Sequence, residues 1–450
     1  MSPGPRRGIA WPLVSAGLLA VLAASLCGCS GLPSIKNPLS SIKNPFKKSE
    51  ERLPGERIAV ITADDVGNID KSAAKAITIP PPEANASWSQ PGGLPANNLG
   101  NLALSDSPQK IWSADAGTGS SSKGRLSAVP IVAEGKVFTL DAAGTVSAFS
   151  SASGGKLWST SVTPEHEKRV EGFGGGIALD GKLFAATGYG TVAALDPGNG
   201  ALLWSKKMGD PIRSSPTATV GKIYFVSTDN LLHCLSATDG AELWSARGLP
   251  QPATLLSNAS PAVGRTIVVA PFPAGDIAAY QIGDGQQAWT QSLARTTETT
   301  AAGILADPAR PVIDRGVVYA VSHGGKMIAS SEATGERIWT RSVAGTQMPL
   351  VAGDTVYVVD VTGKLLALAR ADGKLRWVVD LPSSARWSGP VLGGGKLWLV
   401  SADGLLVGAD ARTGEVVSKL DLGTAVFVSP IVAEGRMYIL TDRANLIALN

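Results

Sequence analysis

Tryptophan recurs along this chain in one local setting, and its spacing constrains the fold more than any other feature of the sequence. Most of these residues follow a turn of small residues, and the series is Trp112, Trp158, Trp204, Trp244, Trp289, Trp339 and Trp377. The intervals are 46, 46, 40, 45, 50 and 38 residues. A period of that length, built from short alternating strands and glycine turns, is typical of a β-propeller with one blade per repeat.

Each repeat predicts one four-stranded antiparallel blade. In the unit from Ser215 to Ser245, turns at Asp229-Asn230 and Asp239-Gly240 separate stretches with the length and alternation of strands. The glycine can supply the positive φ that a tight turn needs. The tryptophan that follows is large enough to dock between neighbouring blades, so we interpret these tryptophans as structural.

The count of repeats predicts eight blades. Seven units end at a tryptophan, and an eighth, Leu397 to Leu420, keeps the glycine turn but has Val417 where tryptophan is expected. The chain ends at Asn450 without a last tryptophan strand, and the strand around Trp112 can supply it. We therefore predict an all-β, eight-bladed propeller whose ring closes by sharing one blade between the N-terminal and C-terminal strands, which removes exposed edges.

The first residues predict a lipoprotein signal peptide. The apolar run from Ile9 to Leu26 is too short and too broken by proline for a membrane-spanning helix. It ends in Leu-Cys-Gly-Cys, which fits a bacterial lipobox with Cys29 as the acceptor. Several acyl chains on Cys29 would anchor the protein firmly. An ordinary cleaved signal peptide is the alternative. Because Ser30 is not the aspartate that retains lipoproteins in the inner membrane, the periplasmic face of the outer membrane is the expected location.

Composition divides the rest of the chain and excludes some functions. We expect a signal peptide over 1–28, a flexible basic tether over 29–57, an irregular N-terminal extension over 58–107, laid on the propeller surface, and the propeller over 108–450.

Forty Lys and Arg against 37 Asp and Glu is too balanced for a nucleic-acid-binding protein. His166, His233 and His323 lie in different repeats and are interpreted as isolated surface or turn histidines. Cys234, alone after processing, is interpreted as a core residue without a disulfide.

The glycine-tryptophan turn, the eight-bladed ring and the lipobox together resemble the BamB family of lipoproteins. The resemblance covers roughly residues 55 to 450, and the Ala86 to Gly93 segment resembles the start of the propeller in some members. It implies a non-catalytic scaffold of the outer-membrane β-barrel assembly machinery. The implied partners are the periplasmic POTRA region of BamA, unfolded outer-membrane proteins and, through the lipid anchor, the membrane. Nucleic acid is not an implied partner.

The resemblance also implies a partner-binding site on two loops, 252–261 and 305–311. The candidate contact residues are Ala253, Leu255, Leu256, Asn258, Asp307 and Arg310. In better-known members an arginine falls where this chain has Leu256, and Asp307 is what remains of an acidic pair. Packing of Leu255 and Leu256 beneath the blade is the alternative interpretation.

The competing class is a quinone-dependent dehydrogenase, because such enzymes share the blade motif. That chemistry needs a Ca²⁺ site of carboxylate, amide and carbonyl oxygens, and a catalytic carboxylate. The chain has no adjacent pair of cysteines, and aspartates such as Asp141, Asp196, Asp360 and Asp410 occupy repeat turns, where they suit the backbone. We therefore expect no catalytic residue, no cofactor such as pyrroloquinoline quinone and no metal. A propeller that binds polysaccharide or another envelope protein is a third alternative.

Overall fold

Thirty-two strands form eight four-stranded antiparallel sheets in the computed structural model. It describes residues 77–122, 124–164, 173–248, 258–294, 308–383 and 385–450. Within these ranges no helix has the length and apolar character that a membrane span requires. The predicted all-β, eight-bladed propeller is confirmed.

The blades are numbered along the chain, and each is named by its strands in order from the first to the fourth. Blade 1 comprises β2 (Ile131–Ala133), β3 (Lys136–Leu140), β4 (Thr145–Ser150) and β5 (Lys156–Ser161), and blade 2 comprises β6 (Gly175–Asp180), β7 (Lys182–Thr187), β8 (Thr191–Leu195) and β9 (Leu202–Lys207). Blade 3 comprises β10 (Thr217–Thr219), β11 (Lys222–Val226), β12 (Leu231–Ser236) and β13 (Glu242–Arg247), and blade 4 comprises β14 (Ala262–Val263), β15 (Ile267–Phe272), β16 (Asp276–Gln281) and β17 (Gln287–Ser292). Blade 5 comprises β18 (Val312–Asp314), β19 (Val317–Val321), β20 (Met327–Ser331) and β21 (Arg337–Arg341), and blade 6 comprises β22 (Leu350–Ala352), β23 (Thr355–Val359), β24 (Lys364–Ala369) and β25 (Leu375–Asp380). Blade 7 comprises β26 (Trp387–Gly393), β27 (Lys396–Ser401), β28 (Leu405–Asp410) and β29 (Val416–Asp421), and blade 8 comprises β30 (Ile431–Ala433), β31 (Arg436–Leu440), β32 (Asn445–Leu449) and β1 (Lys110–Asp115).

Blade 8 joins the two ends of the propeller. Its fourth strand is β1, which pairs antiparallel with β32, so that Trp112 lies opposite Ala448 and Asp115 opposite Asn445. This pairing gives β32 a neighbour on both sides, as the sequence predicts. No described blade therefore lacks its fourth strand.

The order of strands in each blade gives the ring two different faces. First strands of neighbouring blades contact one another and so surround the central axis. Fourth strands form the outer rim, where side chains alternate between exposed and partly buried. One face carries the turns between first and second strands and is called the closed face. The other, called the cup face, carries the second-to-third turns and the links between blades.

Tryptophan and glycine join each blade to the next. Six of the seven indoles donate a hydrogen bond from Nε1 to a backbone carbonyl of the following blade, at 2.9 to 3.3 Å. Each of the seven rings also lies under a turn glycine of that blade, where φ is between +69° and +79° and an added Cβ would lie 2.4 to 2.8 Å from the ring. The glycine is therefore required by the backbone and by the neighbouring ring.

Blade 7 corrects one detail of the repeat alignment. Strand register places Ser418 opposite Gly408, the position that tryptophan occupies in the other blades, so the expected equivalence of Val417 is wrong. Val417 points outward and is 52% exposed. The ring of Trp398, on β27, fills the space instead, because a Cβ on Gly408 would lie 2.9 Å from it.

The residues before β1 cross the axis at the closed face. We call residues 77–104 the axial strap. It forms hydrogen bonds with all eight blades in turn, through Asn85 to blade 8, Trp88 to blade 1, Ser89 to blade 2, Gln90 to blade 3, Pro95 to blade 4, Ala96 to blade 5, Thr78 to blade 6 and Leu102 to blade 7. Trp88 and Leu102 are 2% exposed and belong to the hydrophobic core. The axial strap thus covers the centre of the closed face.

Two consecutive residues of β12 in blade 3 have buried side chains. Cys234 is a free, buried cysteine on β12, as expected. The surface or turn interpretation of His233 is wrong, because the residue lies in the same strand, is 6% exposed and stacks on Phe225 with ring centroids 5.0 Å apart. Burial lowers the pKa of His233 and outweighs the raising effect of nearby Glu242 and Asp229.

Candidate functional site

A large cavity opens on the cup face around the axis. Its volume is about 1110 Å³. The walls come from the links that precede the first strands and from the second-to-third turns, so nearly every blade contributes. Aromatic and apolar residues of the wall include Phe173, Tyr189, Trp387 and Phe427. The axial strap lies at the opposite face, so this cavity, called the axial cup, has its opening on the cup face.

Among the described residues, the lining of the axial cup contains more positive than negative side chains. The cationic side chains of its lining are Arg125, Lys207, Arg213, Arg310 and Arg386, and His323 also lines it. Asp360 is the one carboxylate in the described lining. Each arginine precedes or begins the first strand of its blade, so the links between blades bring them together across long stretches of sequence.

Asn258 holds the wall of the axial cup together. Its Nδ2 donates to the carbonyl oxygens of Ser127 and Gly175, both at 2.7 Å, and its Oδ1 accepts from Oγ of Ser215 at 2.7 Å. These partners belong to blades 1, 2 and 3, whereas Asn258 leads into blade 4. Because the side-chain amide is fully engaged, Asn258 acts here as a structural link between blades.

Arg310 reaches across to Asn258. Its Nη2 donates to the Asn258 carbonyl oxygen at 2.9 Å. The Nε atom is buried and has no hydrogen-bond partner among the described residues, although the residue as a whole is partly exposed. Burial lowers the pKa of Arg310 to about 10, so the guanidinium stays charged at neutral pH. The structure therefore brings two of the candidate contact residues together at the cup face.

The other candidate residues fall in parts of the chain that are not described. Cys29, Ala253, Leu255, Leu256 and Asp307 lie outside the described residues, and so does His166. The links that carry 253–256 and 307 connect fourth strands to first strands, which places their described ends on the cup face.

Sequence reasoning missed the four cationic residues that share the axial cup with Arg310. Arg125, Lys207, Arg213 and Arg386 form no local motif, because each comes from a different blade. For the three arginines, the available signal was a basic residue that recurs before the first strand in several repeats, whereas Lys207 ends the fourth strand β9. Aligning the blades by their glycine turns would have shown it.

No cation site is evident in the described part of the chain. It has no group of three or more His, Cys, Asp or Glu that could hold a metal ion. Asp360 is occupied by its own turn, since its Oδ1 accepts from the backbone nitrogens of Thr362 at 2.8 Å and Lys364 at 2.9 Å.

Comparison of the sequence with known proteins finds two relatives that share one description. The chain is 28% identical over 244 residues to an outer membrane protein assembly factor BamB of Alkalilimnicola ehrlichii, covering 52% of this chain and 51% of that protein. It therefore spans about half the length of that relative. The BamB of Shewanella oneidensis is 26% identical, over 75% of this chain and 77% of that protein.

Solved structures agree on the fold. The crystal structure of BamB from Moraxella catarrhalis matches with a TM-score of 0.67 and 18% identity, over 76% of this chain and 99% of that one. A quinohemoprotein alcohol dehydrogenase from Pseudomonas putida HK5 matches with a TM-score of 0.65 and 14% identity, over 86% of this chain and 83% of that one. At such identities these matches establish the propeller fold alone. The family model described as outer membrane protein assembly factor BamB matches residues 142–379 and 362–450, more than half of the sequence, so the chain belongs to the BamB family.

Proposed function

We propose that this protein is a non-catalytic scaffold of the outer-membrane β-barrel assembly machinery and binds the periplasmic POTRA region of BamA. Membership of the BamB family is the observation that carries the proposal. The hydrogen bond between Arg310 and the Asn258 carbonyl supports it, because it joins the two links on which the partner-binding loops are expected. Both loops would then act as one contact surface.

The apolar part of that surface is expected at Leu255 and Leu256. Fully burying one leucine contributes about 1.5–3 kcal/mol, and a few such residues usually dominate an interface. A rim carboxylate such as Asp307 contributes less, since water screens it.

A pull-down from native envelopes tests this assignment. The double variant Leu255→Asp, Leu256→Asp should recover at least tenfold less BamA than the unmodified protein. The matched control is Leu94→Asp, Val220→Asp, which places the same charges on the closed face, where the two side chains are 42% and 89% exposed. Equal recovery with both variants would reject the loop as the site, and absence of BamA with the unmodified protein would reject the assignment.

The lipobox supports attachment to the outer membrane. A lipid on Cys29 would hold the propeller at the periplasmic face, with the tether of residues 29–57 between them. Mass spectrometry of the mature amino terminus tests this, and Cys29→Ala should yield protein without the lipid mass. An unmodified mature terminus in the natural protein would refute the anchor.

The outer rim supports binding of unfolded barrel strands. Fourth strands are hydrogen-bonded to a blade on one side only. They expose a repeated aliphatic residue directly before the tryptophan, among them Ile111, Leu157, Leu203, Leu243 and Ile338, each 44 to 51% exposed. Such edges can add a strand through backbone hydrogen bonds, which tolerates many client sequences.

The second candidate is a quinone-dependent dehydrogenase, favoured by the fold match to a quinohemoprotein enzyme. The axial cup could pair its arginines with the carboxylates of pyrroloquinoline quinone. It offers one carboxylate, Asp360, which its own turn already uses. The donor set of the described lining therefore fits the anionic part of such a cofactor and not a Ca²⁺ ion.

A further inference from the structure

His233 occupies a position at which the other seven blades have an uncharged side chain. In each blade this position is the residue of the third strand directly before the partner of the rim tryptophan, or of Ser418 in blade 7. The equivalents in the other described third strands are Ser147, Ala193, Ala278, Ile328, Leu366, Val407 and Ile447. The propeller fold therefore does not require an ionisable side chain here.

The imidazole of His233 lies in the seam between blades 2 and 3. It stacks on Phe225 with ring centroids 5.0 Å apart, and Phe225 packs with Phe184 and other residues of blade 2 in one hydrophobic cluster. His233 is 6% exposed. Lys206, on the fourth strand of blade 2, is near enough for its positive charge to act on the imidazole. A charge on His233 would therefore be felt by both blades.

The hydrogen bonds of Ser227 determine which ring nitrogen of His233 carries the proton. The Ser227 hydroxyl has one hydrogen, which it donates to the carboxylate of Asp229, a group that can only accept. Nε2 of His233 lies 3.0 Å from Oγ of Ser227 and must then be the donor of that second hydrogen bond. We therefore assign the proton of neutral His233 to Nε2, which leaves a lone pair on Nδ1.

A second proton has a defined place on Nδ1. This atom is buried, has no hydrogen-bond partner among the described residues, and lies 3.7 Å from Oε2 of Glu242 on β13. A lone pair that faces a carboxylate is unfavourable, whereas a protonated Nδ1 would form an ion pair with it. Asp229 adds negative charge on the other side of the ring, although Arg247 contacts its carboxylate at 3.7 Å.

Burial and Lys206 oppose this second proton. Burial is the larger effect and lowers the pKa of His233, because a charged ring stacked on Phe225 loses its hydration. The positive charge of Lys206 acts in the same direction. Glu242 compensates only in part, since its side chain is 38% exposed and water screens the ion pair. Proton uptake is therefore favoured when the seam opens locally and the ring reaches water.

The turn that begins at Ser227 connects this seam to the wall of the axial cup. The Ser227 backbone pairs with Ile212, in the link that leads into blade 3. The backbone nitrogen of Thr228 donates to the carbonyl oxygen of Pro211 at 2.9 Å, and both of these residues line the axial cup. A displacement of Ser227 would therefore reach this part of the wall.

We propose that His233 is an acid-sensitive switch between blades 2 and 3. In its neutral form it donates to Ser227 and the seam is closed. A proton taken from solvent on Nδ1 places a cation opposite Lys206, opens the outer part of the seam and displaces the turn at the cup face. This inference concerns a response to pH and does not depend on the partner proposed above.

Nitrogen-15 NMR of the full-length protein, labelled at histidine, tests the positions of the protons. The sequence has three histidines, and the signals of His233 are identified by their loss in His233→Gln. At pH 7.5 Nε2 should carry a proton and Nδ1 should not, and both should be protonated below a midpoint lower than the usual value of about 6.5. A proton on Nδ1 alone at neutral pH, or a ring that stays neutral down to pH 5, would overturn the proposal.

Substitution of the neighbouring charges should move that midpoint in opposite directions. Lys206→Gln removes a repulsive charge and should raise the midpoint by about 0.5 pH units, whereas Glu242→Gln removes an attractive charge and should lower it by a similar amount. Lys419→Gln removes a charge from an exposed position on β29 and should leave the midpoint unchanged. A midpoint that ignores both Lys206 and Glu242 would place the titrating ring outside this seam.

Hydrogen exchange measured by mass spectrometry at pH 7.5 and pH 5 tests the opening. After correction for the intrinsic exchange rate, residues 227–247 should exchange about fivefold faster at pH 5, and the equivalent residues 327–341 of blade 5 less than about twofold faster. His233→Ile introduces the residue found at this position in blades 5 and 8 and should abolish the acid response, as should His233→Gln. An acid response that persists without His233, or that is equal in blade 5, would reject the switch.

Discussion

In seven of the eight blades, one turn glycine has two structural roles. At Gly335, φ is +71° and an added Cβ would lie 2.6 Å from the ring of Trp289 on the preceding blade. The positive φ disfavours any residue with a side chain, and the ring excludes even a methyl group. The glycine-to-tryptophan spacing therefore records contacts within a blade and between blades.

Comparing Gly335→Ala with Gly316→Ala in the same blade should distinguish the effect of the positive φ from the effect of the tryptophan ring. At Gly316, φ is +77° but nothing lies within 4 Å of the added Cβ. We expect Gly316→Ala to lower the free energy of unfolding by about 1–2 kcal/mol through backbone strain, and Gly335→Ala by about 1–3 kcal/mol more through overpacking. Urea unfolding measures both, and equal losses would contradict the role of the ring.

His233 should give the protein an acid-sensitive component of stability. Burial lowers its folded-state pKa below the unfolded value, so the unfolded chain binds more protons and stability falls as pH drops below the unfolded pKa of about 6.5. The groups that face it are Ser227, Glu242 and Asp229, with Lys206 nearby. Unfolding at pH 7.5 and pH 5 should show a smaller loss for His233→Gln than for the unmodified protein. An unchanged pH dependence would show that another group is responsible.

At the scale of elements, the axial strap is held by isolated backbone hydrogen bonds and buried side chains, without a continuous strand ladder. Gln90 is 1% exposed, its Nε2 donates to the carbonyls of Leu179 at 3.0 Å and Ala218 at 2.8 Å, and its Oε1 accepts from the Ala218 nitrogen at 3.0 Å. One side chain thus connects the axial strap to blades 2 and 3. Irregular backbone is tolerated at the axis because first strands provide unused donors and acceptors there.

Gln90→Ala should therefore loosen the axial strap. Three hydrogen bonds are lost and partners on two blades become unsatisfied, so we expect a loss of about 1–3 kcal/mol. Limited proteolysis should cut within 77–104 sooner than in the unmodified protein. The control, Gln286→Ala, changes an exposed turn residue and should alter neither quantity. Cleavage at the same rate in both variants would show that the strap is held elsewhere.

Features that depend on neighbouring residues in the sequence could be predicted, whereas sites that combine residues far apart in the sequence could not. Turn glycines and tryptophans repeat at short range, so blade number and ring closure could be derived. The misassigned Val417 shows the limit, because tryptophan follows the turn glycine by four residues elsewhere and Ser418 holds that place after Gly414. The axial cup depends on side chains from separate links, and the burial of His233 depends on Phe225 of the neighbouring strand. Neither the axial cup nor the burial of His233 could be predicted from a local sequence pattern.

At the scale of the whole molecule, the charge of the axial cup also bears on cofactor chemistry. The described lining lacks the carboxylates that would bind Ca²⁺. We therefore expect titration calorimetry with Ca²⁺ and pyrroloquinoline quinone together to show no complex with a micromolar Kd, which would correspond to a binding free energy of about −8 kcal/mol. The cofactor without Ca²⁺ serves as control, since its carboxylates alone could pair with the arginines. A micromolar complex that requires Ca²⁺, with dye-linked alcohol oxidation, would favour the dehydrogenase candidate.

The shared blade also sets an order for folding as the chain is made. A chain that emerges from its amino terminus presents the axial strap and β1 first, but their partners in blade 8 come last, with Asn85 and Val432 separated by 347 residues. Contacts so distant in sequence form slowly because a long loop must close. The first strand therefore remains an unpaired edge until the last strands are synthesised, and during that interval the incomplete ring exposes a strand edge that can associate with other chains.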